Sequence, residues 1–345
     1  MLDDLQYINQ NDPSDALGIA AISYKQLNYK FQINLDSINS REISNITYIG
    51  MGGSALAGLL SQTWPSYKLP FSIVRDYRIP SYINQKSLVI ISSYSGNTEE
   101  TLEALNQAIQ NNAQIIVISS GGKLISIAKE NKFPYFEIPG GLQPRYAVYY
   151  NFKAIIDLLI DLGLCSDKLQ EELQSNAKVL ESEVSNWLPI KQSSSNLAKQ
   201  IAMEVAGKSV VIYAGPKLAP AAYKWKISFN ENAKQIAWWN SYSEFNHNEF
   251  IGWTKQPVLK PYAVIELRSK LEGPKINERF KISNRLLSGS KPDSIVVDLP
   301  ANNILGDILY AVSLGDFVSI YSAIIAGINP EPVALIEKLK RELNP

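Results

Sequence analysis

Short apolar runs alternate with amphipathic segments along most of this chain. In the first half, the apolar runs have the length of buried strands, and helical patterns lie between them. Strands are predicted at residues 48–50, 71–75, 88–92, 114–119 and 135–138. Helices are predicted at residues 55–62, 98–111, 124–131, 142–163 and 168–187. This alternation is typical of a doubly wound α/β fold with a parallel sheet.

The second half repeats the pattern. Strands are predicted at residues 209–215, 262–266 and 294–298, and helices at residues 223–229, 304–325 and 332–343. A chain of 345 residues is long for one core, so two domains are expected. Residues 188–195 are the clearest break in composition. The core is expected to divide earlier, which gives domains 1–151 and 152–345, both doubly wound parallel sheets of similar topology.

Charge and cysteine content narrow the class of protein. The 33 basic and 33 acidic residues balance and form no long run of one sign, which argues against a nucleic-acid or anionic-membrane partner. Cys165 is the only cysteine, so no intrachain disulfide is possible, and a reducing, cytoplasmic compartment is the simpler expectation. No apolar stretch is expected to reach the roughly 20 residues that span a bilayer.

Two loops that follow predicted strands have the composition of a phosphate site. Residues 50–54 (Gly-Met-Gly-Gly-Ser) follow the first strand, and residues 92–100 follow the third. A strand-to-helix junction exposes backbone N–H groups and the positive end of a helix dipole. Glycines allow an anion to approach closely, and hydroxyls add donors. The candidate phosphate-binding residues are Gly52, Gly53, Ser54, Ser93, Ser95 and Thr98.

A dinucleotide site is the main alternative for the first loop. Its glycines resemble a dinucleotide fingerprint, and Asp76 follows the next strand, where an acid can hold a ribose. The hydroxyl-rich second loop favours a phosphorylated ligand instead. A P-loop is less favoured, because no Gly-Lys-Ser/Thr follows the glycines.

Three further residues are candidates for chemistry. Arg145 is predicted near a helix start, where a cation is poorly placed unless it meets an anion; an ordinary salt bridge is the alternative. His247, the only histidine, lies in the polar run Asn-His-Asn-Glu and has a side chain that titrates near neutrality. A structural histidine is its alternative, and a metal site is disfavoured without a second histidine. Glu231 follows an apolar helical stretch that could partly bury it, and burial makes a carboxylate more basic, as a general base requires. A surface carboxylate is the simpler interpretation of its spacing.

The chain resembles the bifunctional phosphoglucose/phosphomannose isomerases, which are built from two sugar isomerase (SIS) domains. The resemblance runs roughly from residue 40 to the C-terminus. It rests on five motifs in order, at residues 50–54, 93–100, 143–145, 230–234 and 244–249. The first two are general to SIS domains, and the last two are specific to this family. The resemblance implies an enzyme that interconverts glucose 6-phosphate and fructose 6-phosphate, with mannose 6-phosphate as a further possible substrate. It also implies that the enzyme needs no metal or organic cofactor.

The resemblance also assigns roles. The six loop residues would hold the substrate phosphate, Glu231 would move a proton between C2 and C1 through an enediolate, and Arg145 would stabilise that enediolate. His247 would help open the sugar ring from the partner subunit of a homodimer. Lys340 would be a second ring-opening residue, with Lys338 as the alternative.

One departure and several alternatives remain. Residues 330–333 contain no threonine, which family members often use to accept the mannose epimer, so an isomerase limited to one epimer is an alternative. A non-catalytic SIS regulator and the isomerase half of a glutamine-dependent aminotransferase are the others. Aromatic residues flank His247 and would form either a dimer interface or the domain core: Trp238, Trp239, Phe245, Phe250 and Trp253.

Overall fold

Two parallel β-sheets form the two cores of the chain. The computed structural model describes residues 1–255, 261–300 and 302–343. Contacts divide the chain into unit A, Ile22–Lys178, and unit B, which joins Met1–Ala21 to Val179–Pro345. The chain begins with two short helices of unit B, α1 (Leu5–Asn11) and α2 (Ala16–Ala21).

Unit A contains a five-stranded sheet in the order β2-β1-β3-β4-β5, with every neighbouring pair parallel. All six residues of its central strand β3 are buried, and aliphatic side chains from four of the strands and from α4 and α5 form one core cluster. The strands are β1 (Asn45–Ile49), β2 (Phe71–Val74), β3 (Ser87–Ser92), β4 (Gln114–Ser119) and β5 (Tyr135–Glu137). The helices are α3 (Gly52–Thr63), α4 (Glu99–Gln110), α5 (Gly122–Asn131), α6 (Val148–Asp161) and α7 (Lys168–Val184), which continues into unit B.

Unit B contains a four-stranded parallel sheet in the order β7-β6-β8-β9. This is the order of the first four strands of unit A, so the predicted α/β class and the similar topology of the two halves are confirmed. The strands are β6 (Ser209–Ala214), β7 (Ala237–Ser241), β8 (Tyr262–Arg268) and β9 (Ser294–Asp298). The helices are α8 (Leu197–Val205), α9 (Ala219–Glu231), α10 (Glu249–Gly252), α11 (Pro274–Leu286), α12 (Ile304–Ile325) and α13 (Ala334–Leu343).

The structural division differs from the predicted boundary between residues 151 and 152. That boundary would cut α6, which packs along α3 and belongs wholly to unit A. The structural boundary falls within α7 instead. The N-terminal 21 residues also change sides, because α2 packs against α12 of unit B. The prediction missed this because the contact joins opposite ends of the sequence.

Helix α12 has the bounds that the sequence predicted. The expectation that no apolar stretch is long enough to span a bilayer is wrong. Within the part of the chain that the structure describes, its 22 residues are the one helix long and apolar enough to cross a bilayer. Of its most apolar 18-residue window, 89% is buried inside the structure. It packs against α8, α9 and α2, and it carries the buried carboxyl residues Asp307 and Asp316. A core helix of this kind passes the same test of length and composition.

Candidate active site

The β1–α3 turn brings a glycine pair and a buried hydroxyl to the carboxyl edge of sheet A. Gly52 has a φ of +49°, in the left-handed region that favours glycine, and no side chain caps the helix start. Ser54 is buried, and its Oγ accepts a hydrogen bond from the Tyr94 N–H at 3.0 Å. Its own hydroxyl hydrogen is therefore left to donate elsewhere.

Gly53 is required by packing. A Cβ added at Gly53 would lie 2.8 Å from the carbonyl carbon of Pro144 and 2.9 Å from the Arg145 nitrogen. Both obstacles are backbone, which has little room to move. The absence of a side chain at Gly53 thus lets the loop containing Arg145 lie against the β1–α3 turn, in addition to any role toward a ligand.

The β3–α4 loop supplies the other three predicted hydroxyls. Ser93 Oγ and Thr98 Oγ1 lie 2.8 Å apart, so one of the two hydroxyl hydrogens is used between them and the other remains. Ser93 is buried and Ser95 is exposed. Thr98 precedes α4 without a side-chain bond to that helix. The loop thus presents hydroxyls next to a helix N-terminus, which is the electrostatic setting of an anion site.

Tyr94, for which the sequence predicted no role, links four loops at this edge. Its N–H reaches Ser54, its hydroxyl donates to the Pro139 carbonyl at 3.1 Å, and that hydroxyl accepts from the Leu142 N–H at 2.8 Å. Its carbonyl accepts the Ser120 N–H at 3.1 Å. Burial raises the pKa of the Tyr94 hydroxyl, which keeps it protonated. An aromatic residue within a hydroxyl-rich loop was the available signal.

Arg145 lies at the same edge of sheet A. The predicted helix 142–163 is divided into a 3₁₀ turn, Pro144–Tyr146, and α6. Arg145 is only 1% exposed, its guanidinium carbon lies 4.7 Å from the centre of the Tyr146 ring, and its Nη1 is 3.5 Å from Gln143 Oε1. The structure therefore brings the six predicted loop residues and a buried cation to one edge of unit A.

Glu231 is the last residue of α9 in unit B. Lys234 binds the end of this helix: its Nζ donates to the carbonyls of Glu231 at 2.9 Å and of Pro330 at 2.9 Å. Asn230 Oδ1 accepts the N–H of Ala237 at 3.0 Å, at the start of β7. Because α9 returns from the end of β6 to the start of β7, Glu231 lies at the amino edge of sheet B. Its side chain is half-buried.

His247 lies at the opposite edge of the same sheet. It ends the 3₁₀ turn Glu244–His247, which follows the carboxyl end of β7, and its side chain is exposed. The five residues of β7 span about 16 Å at about 3.3 Å each. The structure therefore does not bring Glu231 and His247 of one chain together.

Family models and relatives match the chain along its length. The bacterial phospho-glucose isomerase C-terminal SIS domain matches residues 194–343, and the SIS domain matches residues 41–132. A bifunctional phosphoglucose/phosphomannose isomerase of Caldicellulosiruptor bescii is 34% identical over 312 residues, which cover 89% of this chain and 91% of the relative. The chain belongs to the bifunctional phosphoglucose/phosphomannose isomerase family.

Two other similarities extend this result. A D-glucosamine-6-phosphate 4-epimerase of Sulfolobus acidocaldarius is 32% identical over 232 residues, which cover 66% of this chain and 70% of the relative. The solved structure of a glucose-6-phosphate isomerase like protein from Thermus thermophilus superposes with a TM-score of 0.66 at 17% identity, covering 99% of this chain and 98% of the other. The structural match supports the two-domain SIS fold.

In this member of the bifunctional isomerase family, the aromatic residues around His247 divide between the two predicted alternatives. Phe245 and Trp253 are buried in one core cluster, and Phe250 packs partly against it. Trp238 and Trp239 are 49% and 37% exposed on the edge strand β7. The core interpretation therefore holds for the first three, and the interface interpretation stays open for the two exposed tryptophans.

The C-terminal lysines lie on α13, none of whose residues is buried. Lys338 Nζ is 3.7 Å from the Glu342 carboxylate one helical turn away, and both side chains are exposed. Lys340 lies in the last turn of the same helix. The helix begins soon after Pro330, whose carbonyl binds Lys234, so α13 starts near the end of α9 that carries Glu231.

Proposed function

We propose that this protein is an aldose–ketose isomerase that interconverts glucose 6-phosphate and fructose 6-phosphate, with mannose 6-phosphate as a second candidate substrate. The observation that carries the proposal is the edge of unit A, where a buried arginine lies against the β1–α3 turn and Ser54 joins this turn to the hydroxyl-rich loop before α4. Family membership supports it, because the relatives covering about 90% of this chain are named for these activities.

The proposed binding mode uses the phosphate to orient the sugar. Ser54, Ser93, Ser95 and Thr98 would donate to the phosphate together with backbone N–H groups at the starts of α3 and α4. Contacts to a phosphate are made far from the reacting carbons, so their free energy serves to hold the carbonyl region in place. Arg145, buried beside the β1–α3 turn, would stabilise the negative charge that develops on the enediolate oxygens.

The proposed chemistry needs one base. Glu231 would remove the proton from C2 of the aldose, and the pair of electrons left behind forms the enediolate. Returning this proton to C1, together with transfer of the hydroxyl proton of O2 to O1, gives the ketose, so no redox partner or other reactant is consumed. Glu231 suits this role because it is half-buried and because Lys234 and the Asn230–Ala237 bond fix the backbone that carries it.

We infer that His247 acts in the site of a partner subunit, in a homodimer. The positions of Glu231 and His247 at opposite edges of sheet B support this, because one chain cannot present both side chains to one small sugar. The exposed Trp238 and Trp239 offer apolar surface near His247 for such an interface. Lys340 would assist ring opening, with Lys338 as its alternative on the same helix.

The test is a coupled assay of the purified protein with each of the three hexose 6-phosphates. Interconversion of glucose 6-phosphate and fructose 6-phosphate without added metal is expected. Turnover of mannose 6-phosphate is expected to be the weaker activity, since residues 330–333 lack the threonine described above. Absence of turnover with all three, in a protein that still binds them, would instead favour the non-catalytic regulator.

Epimerisation at C4 is the second candidate, and the similarity to the Sulfolobus acidocaldarius epimerase is the observation that favours it. Incubation with glucosamine 6-phosphate, followed by separation of the C4 epimers, distinguishes the two activities. We expect no conversion, because the relatives named as isomerases match a larger share of this chain. Conversion faster than that of fructose 6-phosphate would replace the isomerase proposal.

A further inference from the structure

The β6–α9 turn holds the same place in sheet B that the β1–α3 turn holds in sheet A. Each turn follows the second strand from one edge, and each leads into a helix that packs beside its sheet. The loops that follow the next strand inward, after β3 and after β8, are also equivalent. In unit A these two loops meet through Ser54 and Tyr94.

In unit B the corresponding place is filled by a carboxylate. Glu272, in the loop after β8, is 8% exposed, and its Oε2 and Oε1 accept the N–H groups of Lys217 and Leu218 at 3.2 and 3.0 Å. A Cβ added at Gly215 would lie 2.3 Å from Glu272 Cδ, so glycine makes room for the carboxylate. The Lys217 Nζ donates to the Leu271 carbonyl at 2.7 Å, which holds the two loops together.

Helix α9 is fixed by polar contacts from this turn to its other end. Lys224 forms a buried ion pair with Asp316 of α12, and Ser228 Oγ lies 2.8 Å from the same carboxylate. Asn232 Nδ2 donates to Ser319 Oγ of α12 at 2.9 Å. These contacts recur every four residues, so they follow one face of the helix. The helix is thus held in register with α12 along its length and ends at Glu231.

We propose that Glu272 is a positioning residue: its carboxylate serves as an internal anion at the β6–α9 turn, and it fixes the helix that carries Glu231. The catalytic part rests on the proposed isomerase function, whereas the internal anion does not. Thirteen residues at about 1.5 Å each place Glu231 about 20 Å from the turn, so Glu272 acts through the helix and not on the substrate. The partners of its carboxylate are N–H groups at a helix start, the donors that bind anions in many proteins.

The experiment uses the full-length protein with Glu272→Ala, which leaves room for a small carboxylate, and formate as the probe. We expect kcat to fall about tenfold with KM changed less than about twofold, because the substrate phosphate binds in unit A. Formate at concentrations in the tens of millimolar is expected to restore at least a third of the lost kcat. It is also expected to raise the thermal midpoint of this variant and not that of wild type.

Two controls make the result specific. Glu278→Ala removes an exposed carboxylate from α11 and is expected to leave kcat unchanged with and without formate. Glu272→Gln fills the space and retains one acceptor, so it is expected to lose less kcat than Glu272→Ala and to show no formate response. If Glu272→Ala does not fold without formate, folding in its presence supports the internal anion, and Glu272→Gln then carries the kinetic comparison.

The two parts of the proposal, the positioning role and the internal anion, are overturned by different outcomes. A folded Glu272→Ala with wild-type kcat, in an active enzyme, overturns the positioning role. A loss of kcat and stability that formate does not change overturns the internal anion. If wild type shows no isomerase activity while the formate-dependent midpoint shift is present, the proposed function fails and the internal anion stands.

Discussion

The two units offer the same helix start to an anion and use it differently. Beside the β1–α3 turn the neighbouring loop carries hydroxyls, whereas beside the β6–α9 turn it carries Glu272, whose carboxylate accepts two backbone N–H groups of the turn. The topology supplies backbone N–H groups in both cases. The difference lies in the side chains on the neighbouring loop, which are hydroxyls in unit A and a carboxylate in unit B.

The glycine that opens each turn makes the same point. A Cβ added at Gly50 would lie 2.9 Å from the Ser92 carbonyl, a backbone atom at the end of β3. A Cβ added at the equivalent Gly215 would instead meet the Glu272 carboxylate. A glycine in a strand-to-helix turn is therefore a sign of close packing between two loops, and it identifies a phosphate site only together with donors on both loops.

The largest expected effect comes from Glu231, at the end of helix α9, which begins at the β6–α9 turn. Glu231→Gln keeps the size of the side chain and removes the base, so turnover is expected to fall at least about a hundredfold with little change in substrate affinity. Steady-state kinetics with fructose 6-phosphate measure this. Glu204→Gln, an exposed carboxylate of α8, is the matched control and should keep full activity. A Glu231→Gln enzyme with near-normal turnover would remove Glu231 from the mechanism.

The candidate phosphate site of unit A is tested by removing the hydroxyl pair of the β3–α4 loop. Ser93→Ala with Thr98→Ala deletes donors to a charged group, each worth about 1.5–3 kcal/mol, so KM for sugar phosphates should rise at least about tenfold. Inhibition by inorganic phosphate should weaken in parallel. Ser126→Ala, an exposed hydroxyl of α5, is the control. Unchanged KM and phosphate inhibition, or tight binding of a nicotinamide dinucleotide by wild type, would contradict the phosphate site.

Mixing two inactive variants tests how the edges of sheet B are used. Glu231→Gln and His247→Ala are expected to complement each other when subunits exchange. In random dimers about half of the molecules are heterodimers, and each has one intact site, which gives roughly a quarter of wild-type activity. Labelled subunits establish exchange independently. No recovery despite exchange would mean that His247 serves its own chain or no site, and that the two edges are not joined across a dimer.

The smallest expected effect is a pH dependence of stability that comes from Glu272 at the β6–α9 turn. Burial raises the pKa of Glu272, and nearby Asp307 adds to this, against the Lys217 and Leu218 N–H groups and the Lys217 charge. A raised folded-state pKa means that the native protein binds the proton more tightly than the unfolded chain. The stability of wild type relative to Glu272→Gln should therefore fall as pH rises from about 4.5 through the folded-state pKa.

Urea unfolding followed by tryptophan fluorescence measures this difference, because five of the six tryptophans lie in unit B. Glu278→Gln is the control and should show no such pH dependence. A difference that is constant with pH, or that grows with pH, would contradict the raised pKa.

The parts of the fold with strong local patterns could be predicted from the sequence. The bounds of β4 and α12 match the prediction, because apolar residues dominate both segments. Strand β7 was missed, since its five residues include two exposed tryptophans and show no clear alternation. The separation of Arg145 from α6 was also missed: Pro144 suits a helix start, but it begins a 3₁₀ turn here.

For the candidate site, the sequence identified the hydroxyl loops and the polar runs but not what holds them. The roles of Tyr94 and Glu272 depend on contacts between loops, and Glu272 meets Leu218 from 54 residues away. The placement of Glu231 and His247 at opposite edges of one sheet likewise follows from the path of the chain through β6, α9 and β7. No local pattern encodes such contacts.

The union of the two chain ends in unit B has a consequence for synthesis on the ribosome. Helix α2 packs against α12, whose first residue is Ile304. At about 5–20 residues per second, α12 begins to be synthesised about 15 to 60 s after α2. Unit A has its whole sequence by Lys178 and is free to fold in that interval. A stop codon before α12 would therefore release a nascent product with a finished unit A and uncovered apolar surface at both of its ends, a substrate for quality control.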